Sequence, residues 1–78
     1  MRITKGEFCQ FSLNARQQLL TEFGSYVCQF YIGNQSISVF KMDGFFAEII
    51  TDTGTGRVEK IQPVQSLNML AFYKGLEN

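Results

Sequence analysis

Histidine is absent from this 78-residue chain, and proline occurs once. Without imidazole the commonest general base, the commonest metal ligand and the usual partner of a serine or cysteine nucleophile are all missing. Hydrolase triads are excluded on that ground. An excess of charge is missing too. Seven Lys plus Arg balance seven Asp plus Glu, so there is no electrostatic surplus to collect a polyanion or an anionic membrane. Neither nucleic acid nor a membrane surface is an expected partner. No apolar run approaches the roughly 20 residues of a membrane span, and Thr4, Lys5 and Glu7 follow too soon after Met1 for the apolar stretch of a signal peptide. The expected location is the cytoplasm.

Cysteine is scarce. Cys9 and Cys28 are too few for a disulfide scaffold and are not at metal-ligand spacing, which points to free thiols and to no metal site. Linkers, repeats and low-complexity stretches are lacking as well, so residues 1–78 read as one globular domain.

What is present can build a core. Hydrophobic residues make up 45% of the chain and charged ones 18%, a balance that argues against wholesale disorder. Ser12 is a helix cap before Leu13, Leu19, Leu20 and Phe23 at spacings suited to one apolar stripe, and Gly24 supplies the stop. Phe11, just before the cap, is placed to staple the helix entry against the stem of Arg16 or against Leu20. From Ser25 the period becomes two: Tyr26, Cys28, Phe30 and Ile32 alternate with Ser25, Val27, Gln29 and Tyr31, which is a strand. Gly33-Asn34 is a two-residue hairpin signal that pairs Phe30 with Ile37, Cys28 with Val39 and Tyr26 with Lys41.

The next turn decides the faces. A two-residue Asp43-Gly44 loop would set Val39 opposite Glu48 and so place a carboxylate among apolar side chains. A three-residue Met42-Asp43-Gly44 loop, with Gly44 left-handed, sets Val39 opposite Ala47 and Ile37 opposite Ile49 and turns Glu48 away; this register is expected. Asp52 to Gly56 forms a third turn, after which a strand from Arg57 to Gln62 sets Glu48 opposite Lys60 before Pro63 ends the ladder. Ser66 caps a second helix bearing Leu67, Leu70, Ala71 and Tyr73, closed by Gly75 and Leu76. The expected fold is α+β: a helix, a four-stranded antiparallel meander and a C-terminal helix.

No constellation demands chemistry. Gly54 and Gly56 join two strands, whereas a phosphate-cradling loop needs its glycines before a helix. Glu48 and Glu59 fall on opposite faces and Asp52 lies in a loop, so the carboxylates do not form an acid/base pair. Cys28 in mid-strand reads as packing, and Cys9 lacks the histidine that would activate it. Tyr31, Phe40 and Phe46 could stack bases, but no basic stripe borders them. No catalytic, metal or cofactor residue is expected.

The outward sheet face is the anomaly. In the expected register it carries Val27, Phe40 and Phe46 in one row, Gln29, Ser38, Glu48 and Lys60 in the next, and Tyr31, Ser36, Ile50 and Val58 in a third. Two apolar rows flanking a polar one need a cover. That cover is either the chain's own N-terminal segment and helices or a partner subunit meeting Val27, Tyr31, Phe40, Phe46, Glu48, Ile50 and Lys60. A domain below about 80 residues, whose core seldom supplies more than 3 to 5 kcal/mol, gains from association.

Leu19-Leu20, Gly24 before a Tyr-Val strand, Gly44-Phe45-Phe46-Ala47-Glu48 and Val58-Glu59-Lys60-Ile61 resemble small uncharacterised single-domain proteins of Bacteroidetes-type bacteria. The resemblance spans over half the chain and implies an intracellular bacterial protein with no activity attached. The function expected is therefore a small non-catalytic interaction or accessory module that binds a protein partner or a second copy. The alternative is a small-ligand binder or minor enzyme using a pocket between helix and sheet, with Cys9 or Tyr26 as its polar group.

Overall fold

A computed structural model describes residues 3–64. In chain order they form α1 (Lys5–Phe8), α2 (Leu13–Phe23), β1 (Ser25–Ile32), β2 (Gln35–Met42), β3 (Phe45–Asp52) and β4 (Val58–Pro63). The strands make one antiparallel sheet in the order β1-β2-β3-β4, the meander that three short turns dictate. The helix expected after Ser66 lies outside the described residues. No helix among them is long and apolar enough to cross a membrane.

The short α1 is held by its own cap. Thr4 Oγ1 accepts from the Glu7 amide at 3.1 Å, and the Thr4 amide donates to Glu7 Oε1 at 2.9 Å, a reciprocal capping box. Hydrogen bonding of the carboxylate by the Thr4 amide, and secondarily by the Thr4 side chain, favours its charged form and lowers the Glu7 pKa below its ordinary 4.5. A depressed carboxyl pKa contributes stability that is present above the unfolded value and is lost as pH falls through the folded one. In an NMR titration the Glu7 carboxyl should therefore show a midpoint below 4.5 that Thr4→Ala moves back up. A wild-type midpoint at the ordinary value would mean that the box is not formed in solution.

Ser12 caps α2 as expected, its Oγ accepting from the Ala15 amide at 3.2 Å. Gly24 ends the helix, but in an extended conformation (φ −84°, ψ 159°) rather than a left-handed one. The chain passes directly into β1, and a Cβ at Gly24 would lie 2.7 Å from the Leu20 carbonyl oxygen, so glycine is needed here for close approach. Of the expected stripe, Leu20 is fully buried and Leu19 half-buried, while Leu13 and Phe23 stay exposed. Phe11 is exposed too, and it is Phe8 that lies under the Arg16 guanidinium, 5.9 Å from the ring centroid.

The first hairpin keeps the expected register over five pairs, from Ile32–Gln35 to Cys28–Val39. A β-bulge then intervenes, and Tyr26 meets Phe40 instead of Lys41, the two rings in edge contact at 5.8 Å. Positive φ at Gly33 alone (58°) is the pattern of a type II′ turn.

The second hairpin departs from expectation. Its loop is the two-residue Asp43-Gly44, which sets Val39 opposite Glu48 and Ile37 opposite Ile50. The carboxylate is tolerated because Gln62, its cross-strand neighbour in β4, donates to Glu48 Oε1 at 2.8 Å. Gly44 has positive φ (91°) as expected, within the shorter loop. An added Cβ there would meet nothing within 4 Å, so Gly44→Val should cost on the order of 1 kcal/mol through backbone strain alone. Equilibrium urea unfolding checks this, and an unchanged midpoint would contradict the turn.

The corrected register splits the apolar residues between two faces. Met42, Ala47, Ile49 and Ile61 join Phe8 and Leu20 in one buried cluster, with Ile3, Leu19, Phe40, Phe45 and Val58 against it. Cys28, Ile37, Val39, Ile50 and Val64 form a second, with Val27, Phe30 and Phe46 against it. Both described helices serve the first cluster.

Candidate functional site

The seven residues expected to share one outward face do not share one. Tyr31 and Phe40 lie on the side that the helices cover, where Phe40 is half-buried against the Phe8–Leu20 cluster. The chain's own N-terminal segment and α2 are therefore what covers that ring. Phe46, Glu48, Ile50 and Lys60 lie on the opposite side, and Val27, in the bulge, packs with them. The single-residue change in loop length exchanges the partners of every residue in β2. In β4 the pairing is also displaced by two residues: Glu48 faces Gln62, and Lys60 faces Ile50.

The large apolar and aromatic side chains left most exposed form a different set, with Tyr31 alone of the seven among its three most exposed members. Tyr31 is 68% exposed, Tyr26 61% and Ile32 52%, and all three belong to β1, the first edge strand of the sheet. Tyr31 was legible from the alternating pattern, whereas Tyr26 and Ile32 were read there as inward-facing. The bulge turns Tyr26 onto the helix side, whereas Ile32 keeps the face of Cys28 and Phe30 at the end of the edge strand.

The backbone of β1 makes this edge distinctive. A β-turn bonds its first carbonyl to its fourth amide, so Ile32–Gln35 is a hydrogen-bonded pair. Alternation then makes Phe30–Ile37 and Cys28–Val39 bonded pairs as well. The N–H and C=O groups of Gln29 and Tyr31 consequently point away from β2, and among the described residues no strand lies beyond β1. Ser25 to Ile32 contains no charged residue and no proline. The Gln29 side chain is held inward on the sheet by a 2.7 Å bond to Ser36 Oγ.

The other edge is blunted by devices that residues Cys28 to Ile32 of β1 lack. The same alternation turns Ile61 and Pro63 of β4 outward. Pro63 has no N–H to offer, and the Ile61 carbonyl accepts from Arg16 Nη1 at 2.7 Å. A register shift, with Glu59 and Lys60 exposed beside it, disturbs the start of the strand. Proline, charge and bulges are the usual devices that keep an edge from pairing.

An apolar groove of about 350 Å³ lies between the N-terminal segment and α2, lined by Ile3, Phe11, Ala15, Leu19 and Phe23. Neither Cys9 nor Tyr26 reaches it, and its polar members, Gln18 and Glu22, hydrogen-bond to each other at 3.2 Å. Cys9 is exposed and Cys28 buried, and neither is in a disulfide. No protein-family model, curated protein or solved structure matches this chain.

Proposed function

We propose that this chain is a small non-catalytic protein-interaction module and that its contact surface is the outward edge of β1. The observation that carries the reading is the contrast between the two edges. Eight uncharged residues with two exposed tyrosines form one edge, while proline, an arginine-capped carbonyl and charged side chains close the other. An open strand edge recruits another strand through main-chain hydrogen bonds, and neighbouring side chains add selectivity. The bacterial, cytoplasmic setting belongs to the same proposal and is supported by the resemblance and by two cysteines that form no disulfide.

The alternative of a ligand pocket between helix and sheet has less support, because the groove beside α2 gathers no convergent polar groups. A photo-crosslinking amino acid at Tyr31 distinguishes the two in cells that make the protein. Adducts of protein mass should form at Tyr31 and not at Thr21, which is exposed on α2. Equal yields at the two positions, or no protein adduct at Tyr31, would contradict the reading.

A further inference from the structure

Resting on the interaction-module reading, we infer that the strand received by β1 is the β1 of a second copy, paired antiparallel about a two-fold axis through Phe30. The regular part of β1 runs from Cys28 to Ile32, bounded by the bulge on one side and Gly33 on the other. Its outward positions, Gln29 and Tyr31, are symmetric about Phe30. An antiparallel copy centred there sets Gln29 opposite Tyr31 of the partner subunit and Tyr31 opposite Gln29 of the partner subunit. Each amide then meets a carbonyl and none of the four outward groups of either copy is left over. A foreign strand could satisfy the same groups in several registers, whereas this one follows from the strand's own dimensions.

Charge and side chains agree with self-pairing. No charge repulsion opposes the seam in this register, because β1 carries no charged residue. Gln29 is already bonded to Ser36 and leaves the neighbouring Tyr31 ring space on the helix side. Tyr31 of one copy would lie across the seam from Gln29 of the other, covering a ring now 68% exposed. The result is an isologous contact, in which one strand supplies both halves of the seam.

Sedimentation equilibrium on the full chain from about 10 µM to about 1 mM tests the inference. The wild type should move from the mass of one chain to twice that mass. Tyr31→Pro, which deletes an outward N–H, and Tyr31→Lys, which places a charge on the seam, should each raise the dissociation constant at least tenfold with an unchanged far-UV spectrum. If Tyr31→Pro does not fold, Tyr31→Lys decides alone. In a mixture of isotope-labelled and unlabelled copies, an intermolecular Hα–Hα contact at Phe30 should mark the axis, and contacts centred elsewhere would overturn this register. A dimer indifferent to the substitutions would overturn β1 as the seam. A wild type that stays monomeric at about 1 mM would overturn self-pairing. In that case a Tyr31 crosslink to some other protein would leave the interaction module standing, and loss of that crosslink as well would remove both.

Discussion

Phe8→Ala is expected to lose about 3 to 5 kcal/mol of folding stability. The ring is fully buried, 5.5 Å from that of Phe45 in a tilted arrangement, and sits beneath the Arg16 guanidinium. Truncation removes the transfer energy of the ring, leaves a void between α1 and the sheet, and deletes an aromatic pair and a cation–π contact together. Native proteins in general have only about 5 to 15 kcal/mol in total, and the small ones least, so the loss is a large fraction of what holds the fold. Urea unfolding should show a much lower midpoint with a similar slope. A loss below about 1 kcal/mol would mean that Phe8 is not in the core.

Arg16→Met should cost about 2 kcal/mol, as hydrogen bonds from a charged donor are worth roughly 1.5 to 3 kcal/mol each and one of the two here is exposed. Arg16 Nη2 donates to the Cys9 carbonyl at 2.5 Å and Nη1 to that of Ile61 at 2.7 Å. One side chain thereby ties the turn after α1 and the edge of β4 to α2. Its Nε is buried with no acceptor among the described residues, which offsets part of the gain. Methionine preserves the apolar stem and leaves the Ile61 carbonyl without this donor. Arg16→Lys should recover little, because an ammonium cannot reproduce the fork that reaches two carbonyls at once. Thermal unfolding of the three proteins, with Arg16→Lys close to Arg16→Met, is the expected result; a lysine variant equal to wild type would show that charge alone suffices.

The parts of this fold written in contiguous residues were readable from the sequence. Ser12 and Gly24 bracket α2, Gly33-Asn34 sets the first hairpin, and the order of the meander follows from short turns. The second register was not readable locally. The choice between a two- and a three-residue loop turned on whether Glu48 could face the apolar side, and the residue that satisfies it, Gln62, is 14 positions away in a strand whose own register was still open. A single misplaced step then reassigned Phe46 and Glu48 relative to Phe40. The bulge left no mark in the alternation of β1, so the face taken by Tyr26 was not readable, while Ile32 keeps the face of Cys28 and Phe30 and is 52% exposed at the end of an edge strand. The absence of charge from that strand was visible throughout. Its meaning emerged only once β4 proved to be closed by Arg16, a side chain from a helix 45 residues earlier.

The sealed edge of β4 also sets a valence. A sheet with two open edges can add strands at both ends and grow into fibres, since nothing in the pairing rule stops it. Here the Pro63 position and the Ile61 carbonyl held by Arg16 remove one of the two growing ends. If a second copy joins at β1, the assembly is complete, because the two chains then leave only their β4 edges facing outward. Arg16 and Pro63, far from the seam, would be the residues that limit stoichiometry.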